Sequence, residues 1–464
     1  MEAPPAPANF HAVFGISLNV PNSPGGAMQI DVGGDSIIGE TPSSDRSAPN
    51  LGNNPTHAAI LPSNSLVFVP SAGSVLPGGV DVVSSFTPAI QASTATGLGA
   101  VTTTPLPLGS LPVFVNSTQN GFMYVANFGT NSVSAINTNS NAVSITATVG
   151  TNPVALAEIP NGLKLYVANQ GSNSVTSLNS LDLSVNPLTG FTGITPVWIV
   201  ARSDSQKVYV LTQGDGQLVT IDTATDTVTS SLPVGAGANF ILYDPNLNRL
   251  YVTNPATGSV IVFSVSGGPN DTPLQLAAIS FTAGSGPCPS ACLPTSVTAL
   301  PDGSRFYVAS YQSAASCPDP FVGAASACVL PSLAVFDANN FALETTLTLL
   351  TDPPFAANVT TNQYQFAVPP VAACATATVY SPSTTRFRVF TTASKDGSRV
   401  YVSMCDAGAI AVVNTTDNNA NNAGGSAALA DTLVTDLPAA FSAGAVQSNG
   451  EPPNQSPIFL LSGQ

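Results

Sequence analysis

Histidine is the residue type in this chain that could act most directly as a general base, and there are only two copies, His11 and His57. His57 follows Pro55 at the start of a short apolar segment, where it could face the mouth of a cavity. A catalytic serine would need such a base beside it, but no G-x-S-x-G motif is present to place one. His57 is therefore the only catalytic candidate, and its alternative role is that of a hydrogen-bonded core or loop residue.

Aromatic residues at one recurring position could bind a flat ligand. The position is found by aligning the prolines that open many short apolar segments, and it holds His57, Phe114, Trp198, Phe240 and Phe390, with Ala155 and Ser296 in two further copies. A ring of these side chains, which includes the only tryptophan, could stack on a sugar. The alternative is that the same side chains pack between neighbouring repeat units.

The cysteines indicate disulfides rather than metal ligands. No pair has C-x-x-C spacing, and neither histidine follows a cysteine at a ligand spacing. We predict three disulfides, which form in oxidising compartments: Cys288–Cys292, Cys317–Cys328 and Cys374–Cys405. Asp417, Asn419 and Asn421 alternate as in a calcium loop but lack its glycine and closing glutamate. No metal and no cofactor are predicted.

The charge of the chain excludes several classes of partner. Only 8% of its 464 residues are charged, and the formal net charge is −15. Binding to nucleic acid by counterion release needs clustered cations, and the ten lysines and arginines form no cluster. Anionic membranes are disfavoured for the same reason. No apolar run of about 18 residues, the length of a membrane span, is present.

A repeated motif indicates which elements position these residues. It consists of an alternating apolar segment, a polar turn and a second alternating segment, as in Arg249–Asn254 followed by 259–263. Between Tyr124 and Tyr251 the motif recurs at steps of 42, 43 and 42 residues, and longer steps of 56 and 94 residues follow. A period of this length with strand-like alternation predicts an all-β fold, a single β-propeller of four-stranded blades over residues 1–464.

The two ends of the chain predict how the ring closes. Residues 12–20 and 27–32 are expected to be the third and fourth strands of one blade, and residues 438–446 and 456–461 its first and second strands. With seven internal repeats this shared blade gives eight, and seven blades is the alternative count. Closure of this kind removes the exposed edges that a linear array would leave. Residues 1–10 are expected to be a flexible tail.

The cysteines and the long connections are predicted to lie on one face. In a propeller, the connections from outer to next inner strand and from second to third strand share a face, and all six cysteines fall in or beside them. Residues 34–54 and 352–385 are predicted to be long loops on that face. Loops of this length in a compact domain are usually functional or disordered. We therefore expect binding on this face, the alternative being that the disulfides merely hold core-poor loops in place.

The recurring motif resembles the YVTN-repeat β-propeller family. The residues that carry the resemblance are Tyr251-Val-Thr-Asn254 and turns such as Pro301-Asp-Gly-Ser-Arg305, and it covers roughly residues 55–415. The family includes surface-layer proteins, secreted repeat proteins and, more distantly, lactonase-like propellers. The resemblance implies a disc of blades around a central channel, usually outside the cytoplasm. Familiar members have seven blades, so a count of eight departs from them, and no catalytic residue is carried over because the motif is structural.

Three functions fit these observations. The preferred prediction is a non-enzymatic extracellular or cell-surface protein, with the periplasm as an alternative location, that acts as a surface, adhesive or assembly subunit through its loop-bearing face. Its partner would be another protein, a further copy of itself or a glycan. The second prediction is a lactonase-like hydrolase with His57 as base at the channel mouth. The third is a sugar-binding or small-ligand-binding propeller that uses the aromatic ring.

Overall fold

The tyrosine-containing segment of each repeat is a β-strand in the middle of a sheet. In Arg249–Asn254, every residue after Arg249 is buried. Tyr251 lies opposite Leu242 on one side and Val262 on the other, and both pairings are antiparallel. A strand that is covered on both faces has a nearly continuous apolar sequence, which is why the motif is easy to recognise.

The protein is described by a computed structural model that covers most of the chain. The described residues are 12–18, 25–33, 35–41, 51–72, 81–88, 98, 101–117, 120–266, 271–288, 290–314, 328–349, 374, 387–416, 431–438 and 456–463. No helix within them is long and apolar enough to cross a membrane.

The strands form eight antiparallel sheets of four strands each, and each sheet is one blade of a propeller. The inner strands of successive blades contact each other around the centre. Blade 1 contains β1 (Ala12–Ser17), β2 (Gly26–Asp31) and β3 (Ser36–Thr41). Blade 2 contains β4 (Ala59–Ile60), β5 (Val67–Ser71), β6 (Val82–Phe86) and β7 (Thr102–Pro105). Blade 3 contains β8 (Pro112–Ser117), β9 (Phe122–Asn127), β10 (Ser132–Asn137) and β11 (Ala142–Thr148). Blade 4 contains β12 (Pro153–Glu158), β13 (Lys164–Asn169), β14 (Ser174–Asn179) and β15 (Val185–Asn186).

The second half of the ring repeats this arrangement. Blade 5 contains β16 (Pro196–Ala201), β17 (Lys207–Thr212), β18 (Gln217–Asp222) and β19 (Thr227–Pro233). Blade 6 contains β20 (Phe240–Asp244), β21 (Arg249–Asn254), β22 (Ser259–Ser264) and β23 (Leu274–Ser280). Blade 7 contains β24 (Leu293–Ala299), β25 (Arg305–Ala314), β26 (Cys328–Asp337) and β27 (Leu343–Thr348). Blade 8 contains β28 (Val389–Ala393), β29 (Arg399–Met404), β30 (Ala409–Asn414) and β31 (Thr432–Pro438), and β32 (Pro457–Ser462) completes blade 1.

The predicted eight-bladed propeller with one shared blade is confirmed, but the division of the shared blade is different. Among the described residues, the C-terminus supplies its innermost strand, β32, and the N-terminus supplies the other three. The predicted first strand at residues 438–446 lies outside the described residues, except for Pro438. Residues 432–438 belong to blade 8, where they pair with β30 as the outer strand. The prediction missed β3 because only Ile37 and Ile38 are apolar in a segment otherwise rich in glycine and polar residues.

The prediction of a loop over residues 34–54 is therefore wrong for residues 36–41, which form a strand that pairs with β2. The predicted tail at residues 1–10 lies outside the described residues. The predicted long loop at 352–385 also lies outside them, except for Cys374.

The turns before the third strands explain a recurrent Asn or Gly in the sequence. Asn131, Asn173, Gly216, Gly258 and Gly408 occupy equivalent positions, and their φ angles lie between 50° and 66°. A positive φ is sterically costly for most residues, whereas glycine and asparagine tolerate it. In the Asn-Ser and Gly-Ser pairs of the repeats, the Asn or Gly is therefore the turn residue and the serine opens the third strand.

Two pairs of neighbouring blades are joined by a tyrosine and a cation near the start of the second strand. In blade 7, Tyr307 donates a hydrogen bond to Asp431 of blade 8 at 2.8 Å, and Arg305 contacts both oxygens of that carboxylate at 2.8 Å. In blade 4, Tyr166 and Lys164 contact Asp226 of blade 5 in the same way. Burial raises the pKa of Asp431 above its ordinary value, although the hydrogen bond from Tyr307 and the charge of Arg305 act in the opposite direction.

The ring is closed by a related contact that has the cation and the aspartate, while the hydroxyl of the equivalent tyrosine, Tyr401, has no hydrogen-bond partner among the described residues. Arg399 at the start of β29 binds Asp35, which directly precedes β3, with nitrogen–oxygen distances of 2.7 and 2.9 Å. These residues are 364 positions apart in the chain. This ion pair therefore links the last blade to the first, as other ion pairs link blades that are adjacent in sequence.

Replacing Tyr307 with Phe should lower the free energy of unfolding by about 1–3 kcal/mol, because the buried carboxylate of Asp431 loses a donor. Tyr401→Phe is the matched control, since the hydroxyl of Tyr401 has no hydrogen-bond partner among the described residues, and it should change stability by less than about 0.5 kcal/mol. Urea denaturation of the oxidised protein measures both. Equal losses in the two variants would contradict the role assigned to the Tyr307–Asp431 contact.

Candidate functional site

The central channel is lined at one end by the side chains of a single recurring position. Each blade contributes one residue from the start of its inner strand or, for His57, from just before it, at the end of the channel that faces the connections from one blade to the next. The eight residues are His57, Phe114, Ala155, Trp198, Phe240, Ser296, Phe390 and Phe459. All seven residues of the predicted ring therefore lie at this position.

Most of these side chains meet in one aromatic cluster, which we define as His57, Phe114, Trp198, Phe240, Phe387, Phe390 and Phe459. Ring-centroid distances are 3.8 Å for His57–Phe114, 5.5 Å for Phe114–Trp198 and 5.0 Å for Trp198–Phe240. The contacts continue from Phe240 to Phe390 at 5.7 Å, to Phe459 at 4.7 Å and back to His57 at 4.4 Å. These distances fall in or just below the range of favourable aromatic pairs. The rings thus form a closed circuit across the channel.

Two members of the cluster were not predicted. Phe387 precedes β28 and packs against Phe390 at 4.9 Å and Phe240 at 5.6 Å. Phe459 is the third residue of β32, in the sequence Pro457-Ile-Phe459, which has the same form as Pro112-Val-Phe114. That pattern would have identified Phe459 if residues 456–461 had been assigned to an inner strand.

The cluster is mainly packed on itself. Phe240 and Phe390 are 5% exposed, Trp198 is 6% exposed and Phe459 is 7% exposed. A sugar that stacks on an aromatic residue needs an open ring face, whereas these rings cover one another. Ligand binding by the predicted ring stays a prediction, and it would require a ligand to contact ring edges or to part the rings.

His57 is the ionisable member of the cluster, and it is partly exposed whereas the other six members are buried. Its ring lies against Phe114 and Phe459, and its Nδ1 has no hydrogen-bond partner among the described residues. Burial lowers the pKa of His57 to about 3, while an interaction with the backbone of Val115 acts weakly in the opposite direction. The imidazole is therefore neutral at physiological pH, which is the state required of a general base or of a core residue.

One disulfide ties the loop-bearing face to the aromatic cluster. Cys374 and Cys405 are bonded, as the sequence predicts, and both are fully buried in the same apolar core as Phe387 and Phe390. The amide of Cys405 also donates to the carbonyl of Arg388 at 2.9 Å. Cys374 is thereby anchored beside the channel mouth.

The second predicted disulfide, Cys288–Cys292, is also present, and it packs with Phe281 and Phe336 between blades 6 and 7. The predicted Cys317–Cys328 pair is not described, because Cys317 lies outside the described residues. The two described disulfides lie in connections of the same face, which we call the loop-bearing face: the connections between blades and those between second and third strands.

Acidic side chains near the inner strands are engaged in structural contacts. Glu158 at the end of β12 accepts a hydrogen bond from Asn120 of blade 3 at 3.0 Å. Asp406 on the loop-bearing face pairs with Arg388 at 3.3 Å, and Arg388 also lies over the ring of Tyr311. Within the described part of the chain, no group of three His, Cys, Asp or Glu residues could hold a metal ion.

Comparison with known proteins identifies the fold but not the family. The sequence matches no family model, and no curated protein is significantly similar to it. Membership of the YVTN-repeat family therefore stays a prediction.

Several solved structures resemble this propeller. The periplasmic gluconolactonase PpgL of Pseudomonas aeruginosa aligns with a TM-score of 0.51 and 12% identity over 98% of this chain and 99% of that chain. The dihydro-heme d1 dehydrogenase NirN in complex with DHE aligns with a TM-score of 0.56 and 13% identity over 99% of this chain and 76% of that chain. A putative 6-phosphogluconolactonase of Bacteroides fragilis aligns with a TM-score of 0.51 and 14% identity over 74% of this chain and 95% of that chain. Identities this low show a shared fold alone.

The titration of His57 should make stability depend on pH. Its folded pKa of about 3 lies below the ordinary value of 6.5, so below pH 6.5 the unfolded state binds a proton that the folded state does not. Stability should therefore be unaffected by His57 above pH 6.5 and fall as the pH drops towards 3, by up to about 2 kcal/mol at pH 5.

This prediction is measured as the difference in unfolding free energy between pH 7 and pH 5. Wild type should lose up to about 2 kcal/mol more than His57→Phe and His57→Gln, which cannot titrate. Because other groups titrate equally in all three proteins, only the difference is informative. If the variants lose as much as wild type, His57 is not kept neutral by its surroundings.

Proposed function

We propose that this protein is an exported, non-enzymatic binding protein that contacts a protein partner through its loop-bearing face. The observation that carries the proposal is the aromatic cluster, whose rings pack against one another across the channel mouth and are only 5–7% exposed at Trp198, Phe240, Phe390 and Phe459. A mouth closed in this way favours contacts made by the surrounding loops over entry into the channel.

The disulfides support both the location and the rigidity of this face. Disulfides form and persist in oxidising compartments, which favours an extracellular, cell-surface or periplasmic protein. The Cys374–Cys405 bond also fixes one connection to the core beside the channel. A surface that is ordered before binding loses less conformational entropy when it binds.

The composition of the face favours contact with protein rather than with a charged polymer. The exposed turn residues between second and third strands include Thr130, Ser172, Ala256 and Thr257, none of which is charged. Such residues bind through hydrogen bonds and close packing, so we expect an affinity that depends weakly on salt.

The test compares two doubly substituted proteins. Ala236→Arg with Ala256→Arg places two charges on exposed positions of the loop-bearing face, and Asn139→Arg with Ala224→Arg places two on exposed turns of the opposite face. Wild type is used to capture a partner from the secreted and envelope fractions of the producing cell. The purified partner is then titrated against all three proteins.

The loop-face variant should bind at least tenfold more weakly, since two long charged side chains would separate the surfaces, whereas the opposite-face variant should bind as wild type does. A partner that binds both variants equally would contradict the proposed face. Failure of wild type to form any reconstituted complex would contradict the proposed function.

A second candidate function is a lactonase-like or sugar-binding propeller that uses the channel mouth. It is favoured by His57, a neutral imidazole with an unpartnered Nδ1 among the described residues. It is also favoured by the likeness to a periplasmic gluconolactonase that spans 98% of this chain. The complex of NirN with DHE is a precedent for ligand binding by a related architecture.

This candidate predicts hydrolysis of gluconolactone by wild type and a loss of at least 100-fold in His57→Ala, with His11→Ala as the matched control. Sugar binding without turnover would appear as quenching of Trp198, the only tryptophan. Unchanged turnover in His57→Ala would exclude His57 as the base. Absence of both turnover and quenching in wild type would contradict the second candidate.

A further inference from the structure

The outer strands of the eight blades differ in how they are protected. An outer strand leaves a row of unpaired N–H and C=O groups, and proteins usually protect such an edge with charge, proline or a short strand. Six of the eight have such a feature: β3 contains Glu40, β7 ends at Pro105, β15 has two residues, β19 ends at Pro233, β27 contains Glu344 and β31 contains Asp436. The exceptions are β11 and β23, which have only the bulge against the third strand that most outer strands share.

Of these two strands, β23 is the apolar one. Its sequence is Leu-Gln-Leu-Ala-Ala-Ile-Ser, with Leu274 66% exposed and Leu276 40% exposed. The exposed positions of β11 are instead Ala142, Ser144, Thr146 and Thr148, which are small or carry hydroxyl groups. An exposed, uncharged and apolar edge strand is the type that pairs with another strand.

The register shows which backbone groups of β23 face outward. Phe281 donates to Gly258 at 2.7 Å, and Ile279 and Ala277 lie opposite Val260 and Val262 of β22. Hydrogen-bonded pairs alternate along an antiparallel ladder, so the groups of Ala277 and Ile279 point to β22. Those of Ala278 and Ser280 therefore point away from the sheet, next to the exposed side chain of Leu276.

We propose that β23 pairs with β23 of a second copy of this chain, as antiparallel strands related by a two-fold axis. Identical edges present matching donors and acceptors to each other, so a single isologous contact satisfies both. Each chain carries a net charge of −15, which opposes self-association over most of the surface. The β23 edge brings no like charges together and covers the exposed leucines.

The expected dimer is weak. Two strands of seven residues bury less than the roughly 1,200–2,000 Å² typical of stable interfaces, so dissociation should be reversible and dependent on concentration. Because the two chains repel each other as wholes, added salt should strengthen the dimer by screening that repulsion. This behaviour distinguishes edge pairing from a contact held by ion pairs, which salt would weaken.

The test is sedimentation velocity over a wide concentration range at low and high salt. Wild type should move towards twice the monomer mass as concentration rises, and Leu276→Lys should raise the dissociation constant at least tenfold, because pairing would cover a charged side chain in each copy where wild type covers a leucine. Ser144→Lys in β11 is the matched control, with the same substitution type on an exposed outer-strand position, and should behave as wild type.

Ala278→Pro is a second variant that removes an outward N–H while leaving the β22–β23 ladder intact. It should also be monomeric, and unchanged circular dichroism verifies that it folds. The proposal fails if wild type is monomeric at every concentration, if Leu276→Lys and Ala278→Pro dimerise normally, or if Ser144→Lys is equally disruptive. None of these outcomes affects partner binding by the loop-bearing face, so the two proposals are tested separately.

Discussion

The buried joint between consecutive blades is the interaction on which the rest of this structure depends. At the contacts between blades 4 and 5 and between blades 7 and 8, a tyrosine inside the second strand and a cation two residues before it reach an aspartate that directly precedes the outer strand of the next blade, as in Lys164, Tyr166 and Asp226. Removing one partner of a buried ion pair leaves an uncompensated charge, which typically costs several kcal/mol. Each such contact therefore opposes separation of the two blades that it joins. The Arg399–Asp35 contact extends this constraint across the closure of the ring.

The packing at the centre of the propeller follows from the way the blades are held together. The eight inner strands enclose a channel narrow enough for aromatic side chains from different blades to meet, and the aromatic cluster fills it. Ala155 and Ser296 contribute small side chains to the circle, and the hydroxyl of Ser296 accepts a hydrogen bond from the amide of Thr391 in blade 8. The channel mouth is thus part of the core, and binding there competes with packing. This competition favours the loops around the mouth as the contact surface.

The sequence predicted the elements that repeat and failed where the repeat is interrupted. The period of the tyrosine motif predicted the blades, and the proline before each inner strand predicted His57, Phe114, Trp198, Phe240 and Phe390 as neighbours in space. Phe459 was missed because a strand at a chain end has no flanking repeat to fix its place in the blade. The aspartates of the joints were missed because a contact across 60 to 124 residues leaves no local periodicity. Their signal was weak but present, since Asp35, Asp226 and Asp431 are each followed by Ser or Thr at the start of an outer strand.

The use of the few cations inside the propeller affects how the outer strands are protected. Six of the ten lysines and arginines form ion pairs among the described residues, and Arg249 binds the carbonyl of Ala338 and lies over Phe341. A chain that has so few cations and engages most of them in internal contacts has few left to guard its edges. Protection of the outer strands then rests on scattered acids, prolines and strand shortening, and β23 has none of these. Because the few cations are used in contacts that stabilise the ring, the edge of β23 is left uncharged and can pair with β23 of a second copy.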